Sequence, residues 1–241
     1  MLKWILVLTL GLVAIPSHAI TLKPFEATYK TSYEKGIKLN IEAKRTLKKT
    51  SNGEWVLDFY AENWFAKVQQ TSRLVVTPDQ KIQPIFYRFY RSIFGKSQEE
   101  KLTFHWDKNE THTTLKSNEW TMSVPEDTQD LLSFQLRLRY DLLENPEQTL
   151  FTYPVVDEDR IKLLNFRIIG EEVIDTPMGK LNAIKIESMH HSDVDAVNHL
   201  IWAAKDWDNL VLRIDPVRRK HKQEPVILIK GALNGKPIRG L

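Results

Sequence analysis

The strongest constraint on the fold is a run in which apolar and polar side chains alternate. From Ile37 to Leu47, the residues Ile37, Leu39, Ile41, Ala43 and Leu47 share one parity, and Lys38, Asn40, Glu42, Lys44, Thr46 and Lys48 take the other. In an extended chain this sends successive side chains to opposite faces, so one face meets a core and the other meets water. The turn signal Ser51-Asn52-Gly53 follows, and Trp55, Leu57, Phe59 and Ala61 repeat the pattern. The two segments therefore read as a hairpin.

The rhythm continues over most of the chain. Further strands are expected at about Phe25 to Tyr33, Lys67 to Val76, Lys81 to Arg91, Glu99 to Trp106, Thr111 to Lys116 and Trp120 to Val124, separated by Gly, Pro, Asn or Asp. After Pro125-Glu126-Asp127 the period changes. Leu131, Leu132, Phe134, Leu138 and Leu142 recur at helical spacing, with Arg137, Arg139 and Asp141 at the other positions. Asp127 is the expected N-cap and Asn145-Pro146 the stop, which gives a helix of about fifteen residues whose apolar face needs a partner. Strand patterns resume at Thr149 to Val155, Ile161 to Val173, Leu181 to Ser188, Asn198 to Ala204, Leu210 to Ile214 and Val226 to Ala232. The turn Thr176-Pro177-Met178-Gly179 is expected to join Ile168–Asp175 and Leu181–Glu187 as a second hairpin. The expected class is mainly β with one main helix. A curved antiparallel sheet, half-barrel or barrel, would wrap around that helix as a single domain over residues 20–241.

The N-terminus reads as an export signal. Met1-Leu2-Lys3 is followed by an apolar stretch from Trp4 to Ile15 and then by Pro16-Ser17-His18-Ala19, with small residues where cleavage after Ala19 requires them. The stretch is short for a transmembrane helix, which needs roughly 20 apolar residues, and no later segment is apolar enough to span a membrane. The expected location is periplasmic, with residues 1–19 removed. The sequence has no cysteine, so disulfides, thiol catalysis and thiolate metal sites are excluded, and aromatic and aliphatic packing must carry stability. Of the net charge of +3, one unit belongs to Lys3, which leaves +2 after cleavage. That near balance argues against a nucleic-acid partner.

Three stretches carry a family resemblance: Asp130-Leu131-Leu132-Ser133-Phe134-Gln135-Leu136-Arg137, Thr176-Pro177-Met178-Gly179-Lys180-Leu181-Asn182-Ala183-Ile184-Lys185-Ile186, and Trp202-Ala203-Ala204-Lys205-Asp206. In this order and after a signal peptide, they resemble the bacterial domain-of-unknown-function 3108 family. Where that family often has a Pro-Val pair after its Trp-containing strand, this chain has Leu210-Val211. The resemblance implies a Gram-negative periplasmic protein and brings no activity with it. A curved antiparallel sheet around a helix is also similar to the half-barrel lipoprotein carriers of the periplasm, in which a bent sheet leaves an apolar concavity. Fold alone does not fix function.

Few residues suggest chemistry. His190-His191-Ser192-Asp193-Val194-Asp195, with His199 beyond, offers imidazoles and carboxylates; in an extended segment His191, Asp193 and Asp195 would share a side and could hold a divalent ion. The alternative is an ordinary polar loop, because the spacing matches no known metal signature. No Gly-x-Ser-x-Gly turn supports a serine nucleophile, Ser133 is expected to cap or pack, and Asp157, Glu158 and Asp159 read as a solvated loop. Phosphate loops are absent and no cofactor is called for. The basic run Arg218-Arg219-Lys220-His221-Lys222 is expected at a hairpin tip, where Arg218, Arg219 and Lys220 could meet anionic headgroups or an acidic partner.

Aromatic residues point to binding. In Ile85-Phe86-Tyr87-Arg88-Phe89-Tyr90-Arg91 both parities carry rings, and Asn63-Trp64-Phe65-Ala66 is similarly two-sided. Both faces then want cover from a core, the helix, a partner or an apolar ligand. Candidate ligand contacts are Trp64, Phe86, Tyr87, Phe89, Tyr90, Phe134 and Leu138. The leading expectation is a non-enzymatic module binding an apolar or lipid-like envelope component. The alternatives are an adaptor for envelope proteins and a metal-dependent hydrolase using His190, His191, Asp193, Asp195 and His199.

Overall fold

In the computed structural model, residues 21–35, 37–189, 199–217 and 222–240 are described. Eight strands come first: β1 Phe25–Lys35, β2 Ile37–Lys49, β3 Trp55–Glu62, β4 Ala66–Val76, β5 Ile82–Ile93, β6 Lys96–His105, β7 Glu110–Leu115 and β8 Asn118–Ser123. Helix α1 spans Ser133–Glu144. Then follow β9 Leu150–Asp157, β10 Arg160–Thr176, β11 Gly179–Met189, β12 His199–Ala204, β13 Leu210–Pro216, β14 Lys222–Gln223, β15 Val226–Leu233 and β16 Lys236–Pro237, with a short 3-10 turn at Lys205–Trp207. All sixteen strands belong to one sheet.

Its order is β8-β7-β6-β5-β4-β3-β2-β1-β15-β13-β12-β11-β10-β9, so each half is an antiparallel meander and β15 against β1 joins them. The two edges, β8 and β9, share no ladder. They are linked where the indole N–H of Trp120 donates to the Glu158 carbonyl at 2.9 Å. That contact between β8, the first strand of the order, and the turn leaving β9, the last, shows how far the sheet curls.

Both expected hairpins form. Lys49 pairs with Trp55 and Leu47 with Leu57, while Gly53, at φ 90°, sits in the connecting turn. Thr176 pairs with Gly179, and the Met178 N–H donates to the Thr176 hydroxyl at 3.1 Å, which holds the Pro177-Met178 turn closed. Alternation in β2 reads as expected where its side chains are described: Ala43 and Leu47 are buried, Lys44 and Lys48 exposed. Register then extends one inward position across seven strands, Phe25–Leu47–Leu57–Ser72–Tyr87–Leu102–Thr113, and every member is buried. Burial of such a row supplies the main drive for closing the sheet, at about 25 cal/mol per Å² of apolar surface.

The double parity of β5 has a geometric cause. Arg73 pairs with Phe86 but Leu74 pairs with Pro84, so Ile85 is an extra residue and the strand bulges there. Ile82 and Pro84 are buried before the bulge, and Tyr87 is buried after it, on the opposite parity. Phe86, paired with the exposed Arg73, lies on the outer face. The rings on both parities thus record a shift in register as well as a demand for cover on two faces.

Candidate functional site

The helix begins later than its sequence spacing suggests. Asp127 does not cap it; Asp130 does. One carboxylate oxygen of Asp130 accepts from the N–H groups of Leu132 and Ser133, each at 2.7 Å, and the Asp130 N–H donates to the Ser133 hydroxyl at 2.9 Å. This is the reciprocal arrangement of a capping box, with serine in place of the usual glutamate. The other carboxylate oxygen accepts from Ser72 of β4 at 2.6 Å, which ties the helix start to the sheet. Burial raises the Asp130 pKa despite these bonds. The helix therefore has twelve residues, and Asn145 ends it as expected, its N–H bonded to the Asp141 carbonyl at 2.9 Å.

A second correction concerns its faces. Leu132, Leu136 and Tyr140 pack in the large cluster with Leu57, Tyr87 and Leu102. Leu138 and Leu142, with Phe134, pack in a separate cluster with Phe151, Phe166 and Ile186. Rows two residues apart are about 200° apart around a helix, so α1 is apolar on opposite sides. It stands inside the curl of the sheet as a divider. That is why Arg139 and Asp141, at positions expected to be polar and outward, are buried. Asp141 accepts from the Tyr153 hydroxyl at 2.7 Å and from the Arg137 guanidinium at 3.0 Å.

The two sides of the divider differ. On the β9–β13 side a groove of about 280 Å³ separates α1 from the sheet. Phe134, Leu138 and Leu142 form its helix wall, and its floor includes Ile186, Ile201 and Ile214, consecutive partners across β11, β12 and β13. Leu164, Phe166, Ala203 and Val211 complete the apolar lining. The Phe134 ring stacks on Phe166 at 5.8 Å between centroids. Ser188, Met189 and His199 lie at one end, Arg139 and Asn209 at the other. His199 and Ala203 are four residues apart on β12, so the groove is about 13 Å long at the rise of an extended chain. An apolar trough with a few polar groups at its ends is the general form of a small-molecule site.

The proposed contact residues distribute unevenly. Phe134 and Leu138 line the groove. Tyr87 is in the filled core and Phe89 packs against it; Phe86 and Tyr90 are half-buried, with Arg88 over the Tyr90 ring at 5.6 Å. Trp64 is 82% exposed in the β3–β4 turn and meets Phe65 and Phe94 edge-on at 4.8 and 6.0 Å. His199 borders the groove, and its backbone N–H donates to Ser188 at 2.8 Å. His190, His191, Asp193 and Asp195 lie outside the described residues, as do Arg218, Arg219, Lys220 and the N-terminal signal. Among the described residues no group of three His, Asp or Glu is placed to hold a metal ion. None of the described helices is long and apolar enough to cross a membrane.

Sequence reasoning missed Leu142, Phe166, Ile186, Ile201, Ile214 and Arg139. Leu142 was within reach, since Phe134, Leu138 and Leu142 are four apart and mark one helix row. The isoleucines belong to three different strands, and only long-range register brings them together.

Asp157, Glu158 and Asp159 stand at the β9–β10 turn. There Asp157 pairs with Lys162, and the group approaches Glu100 of β6 across the seam. Burial, helped by the charges of Asp157 and Glu158, pushes the Glu100 carboxyl up to about 7.

Comparison with known proteins agrees with this architecture. No curated protein matches the chain. A crystal structure of a beta-barrel-like protein of domain of unknown function 1849 from Brucella abortus superposes with a TM-score of 0.60. At 13% identity it covers 89% of this chain and 99% of its own length, and it shares the fold. The profile of the family described as protein of unknown function, DUF3108, matches residues 25–218. With most of the sheet, the whole of α1 and the groove inside that match, the chain belongs to the DUF3108 family.

Proposed function

We propose that this protein is an exported, non-catalytic carrier or binding module that holds an apolar or lipid-like envelope component between α1 and strands β10 to β13. The groove carries this reading. Burial on both sides would normally drive α1 and the sheet together, yet the isoleucine floor stays half-covered at Ile201 and Ile214. The absence of disulfides is compatible with export, because the other side of the helix packs a large core. Periplasmic location rests on the signal-like residues 1–19.

The test is uptake of an environment-sensitive naphthylamine probe by protein purified from the periplasm. Saturable binding is expected, and Ile201→Trp, which fills the groove, should weaken it at least tenfold. N-terminal sequencing of the exported protein should begin at Ile20. Failure of the probe to bind, or binding indifferent to Ile201→Trp, removes the reading.

An adaptor role is the second reading, and one observation favours it. Trp64 and Phe94, 82% and 70% exposed, form with Phe65 an aromatic knob on two neighbouring turns. Exposed aromatic clusters are common interface anchors. Crosslinking in cells that traps one defined envelope protein, lost on Trp64→Ala with Phe94→Ala, would support this role over the carrier.

A further inference from the structure

The inner end of the groove carries a buried cation without a matching anion. Arg139 is 5% exposed and lines the groove opposite its Ser188–His199 end. Its Nε–H donates to the Asp208 carbonyl at 3.1 Å, and its guanidinium lies over the Phe25 ring at 4.6 Å from the centroid. The ring occupies the face of the guanidinium and leaves the in-plane N–H groups free to donate. Nη1 and Nη2, both buried, have no acceptor.

The surrounding groups do not neutralise it. The Asp208 carboxylate is engaged by Lys23 Nζ at 2.9 and 3.0 Å and forms no ion pair with Arg139. The Tyr29 hydroxyl donates to the Val211 carbonyl at 3.0 Å, and that of Tyr140 interacts with the backbone at Thr21 and Lys23. Arg45 stands near enough that the two guanidiniums repel, and its Nε is also buried without an acceptor. Burial lowers the pKa of both arginines, yet a guanidinium stays charged at any ordinary pH. Leaving charged donors buried and unsatisfied is among the costlier arrangements a fold can hold. An anionic ligand head would supply the acceptors that Nη1 and Nη2 lack.

We propose that the groove takes a single-chain anionic amphiphile, whose carboxylate or phosphate head accepts from Nη1 and Nη2 of Arg139 while its tail lies along Phe134, Leu138 and the isoleucine floor. This rests on the carrier reading and narrows its ligand. A planar guanidinium offers paired donors to either head group, and the apolar lining excludes a wholly polar anion.

Calorimetry on the full exported chain at pH 8 with dodecanoate, dodecyl phosphate and dodecanol tests it. At least one anion is expected to bind tenfold or more tightly than the alcohol. Arg139→Met should bring the preferred anion down to the alcohol's affinity and leave the alcohol unchanged, and Arg139→Lys should fall between. Whichever anion binds more tightly identifies the head group. Equal binding of all three by the native protein overturns the anionic head and leaves the apolar groove standing. Anion preference that survives Arg139→Met overturns the assignment to Arg139. Binding of none overturns the carrier reading itself. If Arg139→Met fails to fold, the native comparison still decides the anionic head, and Arg139→Lys decides the assignment: an anion preference undiminished in that variant overturns it.

Discussion

The two halves of the sheet treat the same helix differently. On the β1–β8 side, the row Phe25–Leu47–Leu57–Ser72–Tyr87–Leu102–Thr113 is buried throughout and interlocks with Leu132, Leu136 and Tyr140. On the β10–β13 side, the row Ile168–Ile186–Ile201–Ile214 has only Ile186 fully buried, and the space beside Leu138 remains a groove. Both rows are made of ordinary core residues. What differs is where the helix stands, and Asp130 sets this by anchoring the first turn to Ser72 of the filled half. One side of the molecule thus supplies most of the packed core, and the other keeps an open groove.

Truncations on the two sides should separate them most clearly. Leu102→Ala removes a side chain that is 0% exposed and leaves a closed cavity, so a loss of about 3 to 4 kcal/mol is expected in urea unfolding. Leu138→Ala, on the groove wall, enlarges space that already exists and should cost about 1 to 2 kcal/mol. Equal costs would break the distinction. Asp130→Ala should cost about 2 to 3 kcal/mol by the same measurement, since it orphans the Leu132 and Ser133 amides and the Ser72 hydroxyl. It should also disturb the groove, because the anchored helix end carries Phe134.

A smaller effect tests the seam between the edges. Burial pushes the Glu100 carboxyl from the ordinary glutamate value of 4.5 up to about 7. As pH rises from about 4.5 the unfolded chain releases this proton while the folded chain still holds it, so stability falls across that window and levels off above 7. The loss should be on the order of 3 kcal/mol. Glu100→Gln should abolish the slope and be the more stable protein at pH 8. An unchanged slope would place the carboxyl in water.

Much of this plan was legible from local pattern. Alternation in β2 and β3 named the core face, and Thr176-Pro177-Met178-Gly179 named its hairpin, because a turn depends on the residues within it. The helix was visible but its start was misplaced. Spacing puts the cap at Asp127, whereas Asp130 holds the first turn and is tied to Ser72, 58 positions away, a contact that local sequence does not carry. Double aromatic parity in β5 suggested a ligand face, while a bulge at Ile85 accounts for much of it. The groove itself needed register: no window of sequence brings Phe166, Ile186, Ile201 and Ile214 together.

Methyl-resolved NMR during titration with an apolar probe tests the central contrast most directly. Shifts are expected at the methyl groups of Ile186, Ile201, Ile214 and Leu138, with those of Leu47, Leu57 and Leu102 unmoved. Shifts spread evenly over both sets, or confined to the neighbourhood of Trp64, would contradict the account.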